Sequence, residues 1–357
     1  MRKLIGSICC LLITGVLVFG TPAVAAAEAK TKFRIAWSIY VGWMPWGYAA
    51  EAGIVSKWAD KYGIEIEVVQ INDYIESINQ YTAGGFDGCV MTNMDALSIP
   101  AGGGVDSTAL IVGDFSNGND ALLVKNSGGL AALKGKPVNL VELSVSHYLL
   151  ARALASAGMS EQDIKVVNTS DADMVAAFAT PDVEAAVTWN PLVSTIMEMP
   201  GVSKIYDSGD IPGEIIDMMV VNTEVLASNP AFGKALVGAW YETMALMRND
   251  DAAGIAARTA MAEASGTDLK GYDAQLATTQ MFYDADQAVR FVNSPTLPRT
   301  MDYVRNFLFE HGILGEGATS PDHVGMSFPG GRTLGDPGNI KLRFDPAFMQ
   351  MAAERKL

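Results

Sequence analysis

The chain is 357 residues long and carries 25 basic against 40 acidic side chains, a formal net charge of −15, with only three cysteines and three histidines. A surface this acidic repels nucleic acid and anionic lipid and excludes both as partners. The length is enough for two lobes with separate cores.

Residues 1–27 have the three-part organisation of an export signal: Arg2 and Lys3, an uncharged stretch over 4–19, and small residues over 21–27. The apolar stretch is shorter than the ~20 residues of a spanning helix, and no later segment is apolar for long enough to cross a bilayer. A mature, periplasmic chain beginning near Glu28 is therefore expected. It keeps 23 basic and 40 acidic residues, a net charge of −17, and one cysteine, Cys89, which builds neither a disulfide framework nor a cysteine metal site.

The spacing then predicts a strand over 33–37, a helix over 46–62, a strand with alternating faces over 64–70 and a helix over 73–82. A strand over 87–92, a short helix over 95–100 and a strand over 108–112 follow. A second cycle begins after the turn-rich loop DFSNGND at 114–120. It has strands over 137–143, 164–168 and 183–188, and helices over 146–157, 172–179 and 191–199. Repeated βα order favours a parallel or mixed sheet covered by helices, and two cycles imply two lobes, 28–120 with 218–357 and 121–217. Beyond a strand at 218–222 the chain reads as mainly helical over 229–314, with Asn229 and Pro230 as cap and first-turn proline. The last forty residues, with GMSFPGGRTLGDPG, read as a surface-wrapping tail.

An enzyme is not expected. Among His147, His311 and His323 there is no HExxH, and the chain has no cysteine pair and no GxSxG elbow. The LKGKP stretch at 133–137 lacks the glycine spacing and the Ser or Thr of a phosphate loop and reads as a turn. Ser144 and His147, three apart, read as a helix-start serine and a pocket-lining or core histidine rather than an activated nucleophile.

What recurs is an acidic or aromatic residue where a strand's carboxyl end opens onto a loop, the edge at which open α/β sheets bind ligands. Three of the six tryptophans fall in WSIYVGWMPW at 37–46. Tyr40, Trp43 and Trp46 follow the first strand, Asp73 the second, Asn93 and Asp95 the third, and Asp114 the fourth. In the second cycle Glu142 and Ser144 end one strand, Asp171 and Asp173 follow another, and Trp189 and Asn190 follow VEAAVT. Asp217 precedes MMVVN. Taken singly, Asp73, Asp95 and Asp173 also suit helix caps, Asp87 and Asp182 suit turns, and Trp37 suits core packing. Taken together, not one of these loops carries Arg or Lys. A sulfonate, nitrate or phosphate pocket calls for such groups. Carboxylates and indoles suit a small planar cation, each desolvated ring face contributing roughly 0.5–2 kcal/mol.

WSIYVGWMPWGYAAEAGI, GGFDGCVMTNMDAL, LKGKPVNLVELSVSHYLL with LASAGMSEQDIKVVN, and VEAAVTWNPLV occur in an order that resembles solute-binding proteins of the nitrate, sulfonate and thiamine-precursor type, over residues 32–310. The resemblance implies a two-lobe periplasmic-binding-protein fold (type II) with two crossovers, a helical C-terminal region and the ligand in the cleft. It also implies delivery to the permease of an ABC importer with its ATPase. A monomer without cofactor or metal is expected. Within the family the chain looks most like the branch associated with urea (guanidine) carboxylase systems, which implies urea or, better suited to acidic loops, guanidinium. By position Trp43, Asn93, Ser144, Trp189 and Asn190 match loops that face the cleft. VELSVSH departs from relatives that place glycine and serine there, and its Glu142 argues against an anion. A pyrimidine or thiamine precursor, held by stacked rings with Asn93 and Asn190, a sulfonate or nitrate, a sensory binding subunit and a periplasmic enzyme are the alternatives. Closure on a ligand requires contacts that exist only when both lobes touch it. Trp43, Trp46, Asp73, Asp95 and Asp114 from one lobe are thus expected to meet Glu142 and Trp189 from the other.

Overall fold

The computed structural model describes residues 30–126 and 128–357; the predicted export signal lies outside them. In chain order the first half contains β1 (Lys32–Trp37), α1 (Met44–Glu51), α2 (Ile54–Lys61), β2 (Glu65–Gln70), α3 (Tyr74–Thr82), β3 (Gly88–Thr92), α4 (Asn93–Ala96) and β4 (Ser107–Ser116). Then come β5 (Ala121–Lys125), β6 (Pro137–Leu140), α5 (Val145–Ser156), β7 (Lys165–Asn168), α6 (Asp171–Ala179), β8 (Ala185–Thr188), α7 (Leu192–Met197) and β9 (Val202–Asp207). The chain continues with β10 (Ile216–Asn222), α8 (Thr223–Ser228), α9 (Pro230–Met247), α10 (Ala252–Ala264), α11 (Leu269–Leu276) and β11 (Thr279–Met281). It ends with α12 (Ala285–Val292), α13 (Thr296–Glu310), β12 (Gly325–Phe328), β13 (Arg332–Leu334), β14 (Ile340–Phe344) and α14 (Ala347–Ala353).

Two sheets organise these elements. The first runs β13-β12-β14-β4-β10-β3-β1-β2, with β11 beside β4, and the second runs β7-β6-β8-β5-β9. The chain therefore passes from the first sheet to the second between β4 and β5, and back between β9 and β10. Each sheet, with its helices, forms one lobe. The two crossing segments are tied together: Ser116 and Ser208 share a hydroxyl hydrogen bond of 2.6 Å, and Gly118 N donates to Ser208 Oγ.

The decisive piece of topology is β10. It returns between β3 and β4 and runs antiparallel to both, with Asp217 opposite Thr92 on one side and Asp114 on the other. β1 and β2 run parallel to β3, so the start of β10 meets the carboxyl ends of its neighbours. A register irregularity between Asp217 and Met218 is the kind of bulge that re-aims a side chain.

Three expectations change. The helix over 46–62 is two helices, because the chain turns at Gly53 with φ 73°, a conformation that glycine adopts without steric cost. β5 and β9, unforeseen, pair antiparallel and frame the second lobe. The C-terminal tail is not a wrapping segment: β12, β13 and β14 extend the first sheet, and Leu342 to Phe344 pair in parallel with Ser107 to Ala109. Buried Leu342, Phe344 and Met326 supply the apolar surface for that extension.

Candidate functional site

The segment leaving β1 turns at once. Trp43 N and Met44 N both bond to the Tyr40 carbonyl, and Pro45 lies in the first turn of α1. This folds both rings back over the sheet edge. Gly42 makes the turn possible, because a Cβ there would lie 2.6 Å from the Tyr40 ring and 2.8 Å from Asp114 Oδ2.

Four rings then line up across the two lobes. Tyr40 meets Trp43 edge-on at 4.9 Å between centroids, Trp43 meets Tyr74 at 5.5 Å, and Tyr74 meets Trp189 edge-on at 5.6 Å. Tyr40, Trp43 and Tyr74 come from the first lobe and Trp189 from the second. Trp189 Nε1 also donates to the Ile39 carbonyl at 3.4 Å. Between the lobes lies a narrow space of about 10 Å³, room for about one water molecule, lined by Tyr40, Trp43, Tyr74, Thr92, Asp120, Val145, Trp189 and Asp217. With both lobes on its walls, this is a closed arrangement.

The charged side chains on this wall, Asp120 and Asp217, are acidic, and Asp95 and Asp114 lie behind it. Asp95, Asp114, Asp120 and Asp217 are 0, 0, 3 and 3% exposed, and among the described residues none of the side chains lining the space is basic. Tyr74 donates to Asp95 Oδ2 at 2.6 Å and Thr92 Oγ1 donates to the same oxygen at 2.8 Å. Tyr40 donates to Asp114 Oδ1 at 3.2 Å, while Asp114 Oδ2 and Asp217 Oδ2 have no hydrogen-bond donor. Removing a carboxylate from water disfavours its charged form. Burial accordingly pushes Asp95 up to about 6, against the pull of its two hydroxyl donors. It pushes Asp114 and Asp120 up to about 7. Asp217 is raised well above the carboxylate range, first by burial and then by the charges of Asp114 and Asp120.

Of the twelve residues the sequence pointed to, Tyr40, Trp43, Trp189 and Asp217 line the space, and Asp95 and Asp114 stand directly behind its tyrosines. The other six do not line it. Trp46 stacks on Trp240 at 5.1 Å and lines a separate void of about 10 Å³ that also touches Trp43, Asp114 and Asp217. Asn93 is consumed by structure, accepting from Ile216 N and donating to the Glu214 carbonyl. Ser144 caps α5, with its hydroxyl on the Val141 carbonyl, so it is not paired with His147. Asn190 accepts from Ser194, and its backbone N–H donates to Asn119. Asp73 caps α3, and Glu142 is exposed beside it in a separate open crevice. Asp73 and Glu142 do lie on facing lobes, but a helix cap is held at its own backbone and cannot also reach the ring wall.

Four lining residues were missed. Tyr74 follows Asp73 directly, and Asp120 ends the DFSNGND loop, where the acidic-at-strand-edge signal was already visible. Thr92 and Val145 carry no such signal. Among the described residues no group of three or more His, Cys, Asp or Glu is arranged to hold a metal ion.

A family model described as NMT1-like family matches residues 36–261. A putative binding protein of Brucella abortus (strain 2308) is 28% identical over 222 residues, which is 60% of this chain and 66% of that protein's length. The alkanesulfonate-binding protein SsuA of Xanthomonas axonopodis pv. citri, solved with MOPS bound, superposes with a TM-score of 0.65 at 18% identity, covering 81% of this chain and 96% of that one. The periplasmic nitrate-binding protein NrtA of Synechocystis PCC 6803 gives 0.59 at 15% identity, covering 92% and 99%. These likenesses show the fold, that of periplasmic binding proteins.

Proposed function

The chain belongs to the NMT1-like family, and on that premise we propose that it is the periplasmic solute-binding component of an ABC importer, capturing a small planar nitrogen-rich cation, guanidinium foremost, between its lobes. In this reading the lobes are 28–120 with 218–357 and 121–217, the export signal is cleaved, and the closed form is what the permease recognises. The observation that carries the ligand assignment is the lining of the space: buried carboxylates and aromatic rings, with no basic side chain.

An anion there would meet unpaired carboxylate charge in a dry site, which is strongly unfavourable. Once the lobes part far enough to admit it, a flat cation can donate N–H bonds to Asp217 and Asp120 with a face against the ring wall. At a ceiling of about −1.5 kcal/mol per non-hydrogen atom, guanidinium binds with about −6 kcal/mol, a Kd of some tens of micromolar. Charge-assisted bonds tighten that further.

The rival reading, a sulfonate or nitrate, draws on what the relatives of known structure are named for. Calorimetric titration of the purified protein with guanidinium, urea, taurine, nitrate and a pyrimidine separates them. Guanidinium is expected to give the largest affinity; heat from an anion alone overturns the cation assignment. Recovery of the solute chemically unchanged after long incubation separates a binding protein from an enzyme.

A further inference from the structure

Resting on the cation reading above, we infer that the site exchanges its solute for a proton: a monovalent cation enters as the proton shared by Asp114 and Asp217 leaves, so that capture strengthens with rising pH and acid reverses it. The geometry begins with the register. Asp114 and Asp217 are directly opposite on antiparallel β4 and β10, where Cβ atoms lie about 4.5–5.5 Å apart and like charges destabilise the pair. Both side chains are buried, and one oxygen of each has no donor.

The groups around the pair offer no positive charge. Tyr40, after β1, faces Asp114 with its hydroxyl, Asp120 faces both from the crossover, and Thr279 on β11 lies near the Tyr40 hydroxyl. Tyr272 on α11 and Tyr283 after β11 also feel Asp114, and both are held neutral by burial. The base acting on those tyrosines, Arg258 of α10, is spent on Asp250, Asp273 and the carbonyls of Met247 and Asn249. Two buried carboxyl groups opposite one another on paired strands, without a counter-ion, do not both ionise readily, so one proton serves the pair. Burial raises both groups in the same direction.

A cation whose N–H groups face the pair removes the reason for that proton. The O–H bond breaks, the proton passes to solvent, the new carboxylate accepts an N–H bond from the cation, and the charge of the closed site is unchanged. A neutral solute of the same shape, such as urea, has no charge with which to displace it.

The test is calorimetry with guanidinium chloride and with urea at pH 5.5, 6.5, 7.5 and 8.5, repeated in buffers of different ionisation enthalpy. For guanidinium we expect affinity to rise by up to about tenfold per pH unit while the pair still holds its proton, and up to one proton released per cation. For urea we expect neither. In Asp217→Asn at pH 8.5, where Asp114 and Asp120, raised to about 7, have already given up their protons, any residual guanidinium binding releases no proton. Guanidinium binding that is independent of pH, with no buffer dependence, overturns the exchange and leaves the cation reading standing. Absence of guanidinium binding at every pH, with the fold verified by circular dichroism, removes the cation reading itself.

Discussion

Two groups of buried acids bridge the same two lobes, and they are built in opposite ways. In the space between the sheets, Asp95, Asp114, Asp120 and Asp217 face rings and one another. On the flank where α13 packs against α5, every acid has its base. Glu214 takes a two-pronged contact from Arg152 at 2.8 and 2.9 Å and a bond from Tyr148. Glu161 is bonded by both His147 and His311. His147 Nδ1 accepts from Leu143 N, so its other nitrogen carries the proton it gives to Glu161. His311 donates Nδ1–H to the Phe307 carbonyl and Nε2–H to Glu161, which requires the charged imidazolium. The flank satisfies its charges within the chain, and the contact of Glu161 with His311 ties one lobe to the other. The acidic space has no counter-charge for its carboxyl groups within the chain, and in the proposed reading a cationic solute supplies it.

The sharpest way to break this contrast is to neutralise one acid on the unsatisfied side. Asp217→Asn is expected to weaken guanidinium binding by about 30-fold or more, since losing one partner of a buried charged contact costs about 2–5 kcal/mol. The same change is expected to raise the Tm of the ligand-free protein at pH 7.5, because the buried pair must take up a proton on folding at that pH whereas asparagine is neutral without one. Loss of binding together with a lower Tm would mean that Asp217 is an ordinary structural residue. A related outcome concerns pH alone. A carboxyl whose folded value is raised binds more protons folded than unfolded, so its stabilising share is complete below the unfolded value near 4 and is lost as pH rises through the folded value. With Asp114 and Asp120 at about 7, the Tm of the ligand-free protein should fall between pH 5 and pH 8, and saturating guanidinium should flatten that fall. Differential scanning calorimetry across this range checks both.

Much of this was legible in the chain. The βα order, the crossovers and the acidic bias of the loops follow from local patterning, which reads hydrophobic period and turn residues. The sign of the site came through because it is a property of composition, and Tyr40, Trp43, Trp189 and Asp217 came through because strand-end position is nearly local. Which acids turn inward is not local. Asp114 and Asp217 become neighbours only because β10 inserts between β3 and β4, a pairing 103 residues apart in the chain. Asp73 and Glu142 have the same residue chemistry at similar strand ends, yet one is spent on a cap and the other points to water. The β12 to β14 extension was hidden for a similar reason: glycine and proline dominate its turns, while its partner β4 lies more than two hundred residues earlier.

The aromatic side of the space can be tested separately from its charge. Trp189 is the second lobe's ring, edge-on to Tyr74 and bonded to Ile39. Trp189→Ala is expected to reduce guanidinium affinity about 10- to 50-fold, combining a lost cation–π face of roughly 0.5–2 kcal/mol with a lost closing contact. Trp189→Phe keeps a ring and loses the N–H, so a smaller loss is expected. Equal losses in the two variants would assign the effect to the Ile39 bond and take the ring out of recognition.

The smallest effect belongs to the satisfied side, and its pH signature is two-sided. The bond to Glu161 raises His311, so its share of stability is full below the unfolded value near 6.5 and is lost as pH rises through the folded value. Burial works to raise Glu161, but the bonds from His147 and His311 outweigh it and bring the carboxyl down to about 2. Its share is therefore present above about 4.5 and lost as pH falls toward 2. Both shares are complete only between about pH 4.5 and 6.5, where Glu161→Gln should cost about 2 kcal/mol, the worth of a hydrogen bond to a charged group. As pH rises through the raised value of His311 its share is lost while the bond from His147 to Glu161 remains, so the cost should shrink without vanishing. Thermal unfolding of both proteins at pH 5.5 and 8.5 measures the difference. Because Glu161 lies outside the acidic space, guanidinium affinity at pH 7.5 should stay within a few-fold of the parent. A Tm deficit equal at the two pH values would show that His311 is neutral and that the flank is held by packing of Phe307 against Tyr148 rather than by charge.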